Sequence, residues 1–104
     1  VRGPQRGEVW WVEMPDKRRP VLVLSREAVV PLLRTLLVAP VSRRIRGLPT
    51  EVVLSRDDGL PEECAVSLDN VTLADKAYFT SFQARLSAVR MGEVCRALRV
   101  ATGC

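Results

Sequence analysis

The sequence contains no histidine, and its three cysteines, Cys64, Cys95 and Cys104, include no C-x-x-C pair. Structural zinc sites and disulfide frameworks require paired spacing, and zinc sites usually include histidine. The sequence therefore predicts no metal site, no disulfide and no cofactor, and it excludes imidazole as a catalytic acid or base. We expect Cys64 and Cys95, which lie in apolar patterns, to fill the core.

Long apolar runs are also absent. No segment approaches the roughly 18 uninterrupted apolar residues that a membrane-spanning helix needs, and the basic N-terminal segment lacks the apolar stretch of a signal peptide. Of the 104 residues, 47% are hydrophobic and 27% are charged, which is typical of a soluble globular protein. We therefore expect one cytoplasmic domain, residues 1–104, with no membrane contact.

Positive charge is concentrated in the first half of the chain. Residues 1–52 contain ten Lys or Arg against five Asp or Glu, whereas residues 53–104 contain six against seven, which together give the net charge of +4. The excess lies in the segments "DKRR" (16–19) and "SRRIR" (42–46). Such a bias indicates either a polyanionic partner such as nucleic acid or a role in solubility alone.

Hydrophobic patterning predicts a mostly β protein. Runs rich in β-branched and aromatic residues, several of them alternating with period two, predict strands at 7–14, 19–25, 35–42, 50–55, 64–71 and, more weakly, 79–87. The first two should form a hairpin whose loop carries the cations. Pro40 predicts an edge position or a bulge for its strand. Trp10 and Trp11 should face opposite ways, with one in the core and the other free to stack a base or to line a dimer contact.

A helix is predicted at the C-terminal end. Ser87 is a suitable N-cap, and Met91, Val94, Cys95 and Leu98 have the spacing of a stripe packed on a core. Gly103 fits the position just beyond the helix end. Five or six short strands followed by one helix predict an α+β fold, in which a small, strongly bent barrel carries a helix.

The segments "RGEVWWVEM", "RRPVLVLS", "VAPVS…GLPTEVVLS" and "CAVSLDNVTL" resemble, in order and spacing, the MazF/PemK family of toxins from bacterial type II toxin–antitoxin systems. The likeness covers nearly the whole chain. It implies an SH3-like β-barrel that forms a homodimer and cleaves single-stranded RNA at short sequences without metal, which inhibits translation and growth. It also implies inhibition by a cognate antitoxin whose acidic tail competes for the RNA groove.

Three residues are candidates for catalysis. Arg19, beside the rigid Pro20, matches the family's catalytic arginine, and a guanidinium suits a pentacoordinate phosphate because it is permanently charged and bidentate. Ser42 matches a Thr or Ser that faces the scissile phosphate, although it could equally satisfy a turn. Asp69 matches a carboxylate at a strand end, and it could act in catalysis, brace Arg19 or cap the turn. Asp16 and Asp69 are both candidates for the general base.

A second set of residues is predicted to bind RNA. Five cations are expected to form a phosphate track with a steep salt dependence, and the family pattern adds a polar side chain after Asp69. These residues are Lys17, Arg18, Arg43, Arg44, Arg46 and Asn70.

Two other functions remain open. Toxins of the same fold inhibit DNA gyrase without cutting nucleic acid, but they rely on an aromatic C-terminal end, whereas this chain ends "VATGC". The third possibility is an RNA-binding barrel without chemistry.

Overall fold

The structure is a computed structural model that describes residues 3–104. Its regular elements are β1 (Glu8–Glu13), β2 (Arg18–Val23), β3 (Thr35–Ser42), β4 (Glu51–Leu54), β5 (Cys64–Ser67), β6 (Thr72–Asp75), β7 (Phe79–Arg85) and α1 (Ala88–Thr102). The predicted fold class, mostly β with a C-terminal helix, is confirmed. The prediction missed β6, which is only four residues long. Within residues 3–104 no helix is long and apolar enough to span a bilayer.

All seven strands belong to one antiparallel sheet with the order β4-β5-β3-β2-β1-β7, and β6 pairs with β3. Across residues 3–104 no ladder joins β4 to β7, so the predicted barrel is an open, bent sheet rather than a closed one. The helix α1 packs against β4 and against the 3₁₀ turn Leu68–Asn70. The helix therefore covers one end of the sheet, and the opposite end of β3 is left accessible.

Strand β3 is the centre of the sheet, which contradicts the edge position or bulge predicted from Pro40. One side of β3 pairs with β2, where Val21 lies opposite Pro40. On the other side, residues 35–38 pair with β6 and residues 41–42 pair with β5. Pro40 thus lies where β3 changes partner, in a stretch without a ladder on that side. Because a proline there removes no ladder hydrogen bond, the sheet tolerates it.

The first hairpin differs from the prediction in the position of its cations. The β1–β2 ladder extends to Glu13 opposite Arg18, and the Met14 amide donates to the Lys17 carbonyl at 2.9 Å to close the turn. Arg18 and Arg19 are therefore strand residues, and only Lys17 lies in the turn. Pairing with β1 fixes the backbone of Arg19, in addition to the rigidity that Pro20 provides.

The C-terminal helix has the predicted boundaries. The Ser87 hydroxyl oxygen accepts a hydrogen bond from the Arg90 amide at 3.2 Å, and Gly103 ends the helix with a φ of 73°. Val94 and Ala97 are buried, while Cys95 is half-buried and accepts a contact from Arg6 at 3.6 Å. The expectation of a core cysteine is therefore confirmed for Cys64 and wrong for Cys95.

Neither tryptophan belongs to the core, although one was predicted to. Val9 and Val12 fill the core positions of β1, and Trp10 and Trp11 are both half-buried. The pairing of β1 with β7 shifts between Val9 and Trp10 and again between Trp11 and Val12. In both shifts the extra residue lies on β7, Gln83 in the first and Thr80 in the second, while the register of β1 with β2 is unbroken. Bulges re-aim side chains, so the side of β7 that meets the two tryptophans is irregular.

Candidate active-site cleft

A basic cleft of about 760 Å³ lies where β2 begins and β3 ends. Because these strands are antiparallel, the start of one adjoins the end of the other. Six lining residues are cations and one is an acid: Lys17, Arg18, Arg19, Arg43, Arg44, Arg56 and Glu62. Ser42 lines the same cleft. The structure thus brings most of the predicted site residues together, and it adds Arg56.

Arg19 is held at the cleft by strand pairing and by one carboxylate. The β2–β3 ladder ends with Val21 opposite Pro40. Arg19 lies two residues before this pair on β2 and Ser42 two residues after it on β3, and both line the cleft. An Arg19 Nη2 donates to Asp16 Oδ2 at 2.8 Å, and this hydrogen bond holds the pKa of Asp16 below its ordinary value. The two side chains are 42% and 62% exposed, so the pair is weak and a phosphate can replace the carboxylate.

Ser42 both closes a turn and presents a hydroxyl group. Its Oγ accepts a hydrogen bond from the Arg44 amide at 3.1 Å, as the turn interpretation expects. A hydroxyl can donate one proton while it accepts. Because the turn uses only the acceptor, the Ser42 proton stays available to a phosphoryl oxygen in the cleft.

Four other cations of the cleft, apart from Arg18 and Arg19, are loosely held. Arg43 donates to Glu62 at 2.9 Å with 80% and 55% of the two side chains exposed. In the part of the chain that the structure describes, Lys17, Arg44 and Arg56 form no ion pair, and Arg56 Nε donates to the Pro61 carbonyl at 3.2 Å. This surplus of unmatched charge is the property a polyanion would require.

Arg46 lies outside the cleft lining. Its amide, with those of Gly47 and Leu48, donates to Glu51 Oε1 at distances of 3.0, 3.0 and 3.3 Å. The carboxylate of β4 therefore fixes the loop that follows the basic segment. An RNA contact by Arg46 stays a prediction.

Asp69 and Asn70 also lie outside this cleft. Strand β5 ends at Ser67 rather than at 71 as predicted, so Asp69 lies in the 3₁₀ turn Leu68–Asn70 and not on the strand. Asp69 Oδ2 accepts from the Thr50 hydroxyl, and Asn70 Nδ2 donates to Ser67 Oγ at 2.8 Å. Arg19 is braced by Asp16 instead. The roles of Asp69 in catalysis and of Asn70 in RNA binding stay predictions.

Two further residues, Trp11 and Gln83, line the cleft. Trp11 was considered from the sequence, but its contact with Gln83 was not predicted. Trp11 Nε1 donates to Gln83 Oε1 at 2.9 Å, and the Arg18 guanidinium carbon lies 4.9 Å from the centre of the Trp11 ring. The position of Gln83 depends on the bulge in β7, and no local sequence pattern reveals that bulge. In the sequence, the only signal for this wall of the cleft was the aromatic side chain of Trp11.

Cys64 lies at the bottom of the cleft but is not a nucleophile at neutral pH. Burial raises the pKa of its thiol, and the nearby carboxylates of Asp58, Glu62 and Glu63 raise it further. A thiol needs a lowered pKa to react as thiolate. Among residues 3–104, moreover, no group of three or more His, Cys, Asp or Glu side chains could hold a metal ion.

Known proteins resemble this chain over nearly its whole length. The family model described as "PemK-like, MazF-like toxin of type II toxin-antitoxin system" matches residues 5–102. The Mycobacterium tuberculosis protein named "Probable endoribonuclease MazF5" is 50% identical over 103 residues, which are 97% of this chain and 94% of that protein.

Solved structures show the same fold. M. tuberculosis toxin MazF-mt6 is 32% identical, with a TM-score of 0.86, over 92% of this chain and 96% of that one. MazF in a MazE–MazF complex from Deinococcus radiodurans is 27% identical, with a TM-score of 0.84, over 100% of both chains.

Proposed function

Since the chain belongs to the PemK/MazF family of type II toxin–antitoxin toxins, we propose that it is an endoribonuclease that cuts single-stranded RNA in the basic cleft. Its M. tuberculosis relative at 50% identity is named an endoribonuclease. The observation that carries the proposal is that Arg19 and Ser42 line one cleft, together with five further cations and one acid. RNA cleavage inhibits translation and growth, and the proposed place of action is the cytoplasm.

The reaction is an attack of a ribose 2′-oxygen on the adjacent phosphorus. The 5′-oxygen of the next nucleotide leaves and takes a proton from a solvent water molecule, so the products carry a 2′,3′-cyclic phosphate and a 5′-hydroxyl group. Arg19 donates to two non-bridging oxygens of the pentacoordinate phosphate, where charge develops, and Ser42 donates its hydroxyl proton to one of them. Neither task requires a divalent ion.

A carboxylate is the proposed acceptor of the 2′-hydroxyl proton. Of the two candidates, only Asp16 contacts Arg19. Its lowered pKa keeps it ionised at neutral pH, since the hydrogen bond from Arg19 favours the charged form. RNA that takes over the Arg19 guanidinium releases Asp16 beside the attacked phosphate. Asp69 is the alternative if a second protomer supplies it.

The proposed partners are RNA, an antitoxin and a second copy of the chain. The related D. radiodurans MazF is found in a complex with MazE. An acidic antitoxin tail would compete with RNA for the same cations, because both are polyanions. Dimer formation is supported by exposed apolar side chains on the edge strand β6 and beside it, such as Leu73 at 63% and Leu37 at 37% exposure.

The activity is tested with end-labelled single-stranded RNA incubated with the purified protein in excess EDTA. We expect cleavage at short sequences and fragments that end in 2′,3′-cyclic phosphate. An RNA with a single 2′-deoxyribose at the cut site should stay intact there and be cut elsewhere. Intact RNA throughout would overturn the proposal, and inhibition of gyrase supercoiling by the same sample would favour the non-catalytic alternative.

A further inference from the structure

The wall of the cleft formed by β1 and β7 differs in composition from the part around Arg19 and Ser42, where a phosphate is proposed to bind. There the indole of Trp11 lies under the guanidinium of Arg18, whose Nη2 donates to Ser81 Oγ at 2.9 Å. Aromatic rings and guanidinium planes are the surfaces on which proteins stack single-stranded bases. A phosphate needs no such platform. This wall therefore has the composition of a base-binding surface.

Gln83 is placed at the rim of this platform by the β7 bulge. Val9 lies opposite Ala84 and Trp10 lies opposite Phe82, so Gln83 has no partner on β1. The extra residue of a bulge is free of the ladder and re-aims its side chain. Gln83 lines the cleft together with Trp11 and Arg18.

The orientation of the Gln83 carboxamide follows from the chemistry of its partner. The indole N–H of Trp11 is a donor only, so the Gln83 atom 2.9 Å from it has to be the oxygen. The amide nitrogen then points away from Trp11, and within residues 3–104 no group accepts a hydrogen bond from it. Arg18 likewise offers only donors. The rim of the platform is thus a set of hydrogen-bond donors.

From these contacts we propose that Trp11, Arg18 and Gln83 form a nucleobase subsite that prefers guanine or uracil. The O6 and N7 atoms of guanine and the O4 atom of uracil offer acceptors to the donors of the subsite. Adenine and cytosine also carry acceptors, but at the corresponding position they have an exocyclic amino donor, which would face the donors of the subsite. The inference rests on the proposed function for its substrate class, since the subsite reads RNA that the cleft binds.

Substitution of Gln83 tests whether its amide donor sets the base preference, because a glutamate replaces that donor by an acceptor. In Gln83→Glu, one carboxylate oxygen still accepts from Trp11, and the other offers an acceptor where the amide donated. We expect the preference at one nucleotide position to change by about ten- to 100-fold, from guanine or uracil toward adenine or cytosine, whose amino groups can donate to the carboxylate. Gln83→Leu should flatten the preference at the same position and leave the other positions unchanged.

The measurement has two readouts. Sequencing of fragments from a randomised RNA pool gives the base preference at each position around the cut. Anisotropy of labelled 2′-O-methyl oligonucleotides that differ in one base gives affinities without cleavage. Arg34→Gln is the matched control: it changes the net charge by the same amount as Gln83→Glu, and its 89% exposed side chain lies outside the cleft. Thermal melting shows that each variant is folded.

The outcomes separate the subsite from the activity. If RNA is cut and the preference profiles of both Gln83 variants match those of the wild type and Arg34→Gln, the subsite is wrong and the endoribonuclease stands. If the wild type cuts no RNA, the proposed function fails. The oligonucleotide affinities then still decide about the subsite, because equal affinities for adenine and uracil would overturn it.

Discussion

Two concave regions in the described part of this protein use arginine in opposite ways. The cleft between β2 and β3 is lined by six cations and one acid, whereas the groove of about 340 Å³ between β4 and α1 is lined by two of each, Arg90 and Arg96 with Glu51 and Glu93. In the groove, Arg90 donates to Asp58 and to Glu93, both at 2.9 Å. The Arg90 and Asp58 side chains are 31% and 10% exposed, against 42% and 62% for Arg19 and Asp16.

The difference shows how one residue type can serve structure or chemistry. A guanidinium that is sheltered and matched by carboxylates, such as Arg90, ties the helix to the 3₁₀ turn Arg56–Asp58 after β4, and its removal leaves an unpaired buried charge. A guanidinium that is exposed and poorly matched adds little stability. Its charge is then available to a ligand. Four predictions test this contrast, from the largest expected effect to the smallest.

Arg19→Ala should lower the single-turnover rate of RNA cleavage by about 1,000-fold, because the pentacoordinate phosphate loses its main charge-stabilising donor. The melting temperature should stay close to that of the wild type, since only an exposed ion pair is lost. Arg90→Ala is the counterpart and should lower the melting temperature while the folded fraction keeps its cleavage rate. If Arg90→Ala abolishes the rate in folded protein, the contrast between the two regions is wrong.

Ser42→Ala should lower the cleavage rate by about 100-fold, the usual effect of removing one donor to a transition-state oxyanion. Ser42→Thr keeps the hydroxyl group and should restore most of the rate, which separates the donor role from the turn role. Rates are measured with saturating RNA, so that a loss of affinity does not enter. Equal rates for the alanine and threonine variants would show that the hydroxyl only closes the turn.

Asp58→Asn should lower the free energy of unfolding at neutral pH by about 2 kcal/mol, as expected for a hydrogen bond to a charged group. Burial opposes the ionisation of Asp58, but hydrogen bonds from Arg90 and the Ser55 amide outweigh it and lower its pKa. Because the folded pKa lies below the unfolded one, this stability is present above the unfolded pKa and is lost as pH falls through the folded pKa.

Urea unfolding at a series of pH values checks this linkage. The difference in unfolding free energy between wild type and Asp58→Asn should be largest at neutral pH and shrink toward acid. A difference that stays constant with pH would mean that the carboxylate does not stabilise the fold through its charge.

Arg44→Ala should have the smallest effect, a change in salt dependence. The plot of log affinity for single-stranded RNA against log salt concentration should become less steep by about 0.7, the value for one phosphate contact on a single strand. Arg96→Ala removes the same charge from the groove at α1 and should leave the slope unchanged. Equal slopes for the two variants would mean that the charge in the cleft is not specifically engaged.

Local signals in the sequence predicted much of this molecule. The helix was placed correctly from Ser87 to Gly103, because an N-cap hydroxyl and a left-handed glycine act on their immediate neighbours. Arg19 and Ser42 were predicted from a family resemblance, and the structure brings both to one cleft, while their roles in catalysis stay predictions.

Features that depend on pairing between distant segments were missed. Strand β6 is too short to show periodicity, and it exists because β3 offers it an edge. Gln83 gains its position from a bulge set by the β1–β7 register, and Asp69 escapes the alternation of β5 because that strand ends at Ser67. None of these is encoded within a window of a few residues.

Arg19 and Ser42 lie on two neighbouring strands rather than on loops, which bears on how the activity of the proposed site is controlled. Because paired strands move little, the two proposed catalytic side chains are expected to keep their spacing whether or not RNA is present. A site that is already assembled without substrate has no inactive conformation of its own. Inhibition must then come from another molecule, so the activity in a cell depends on how many copies of the protein are not bound by an inhibitor.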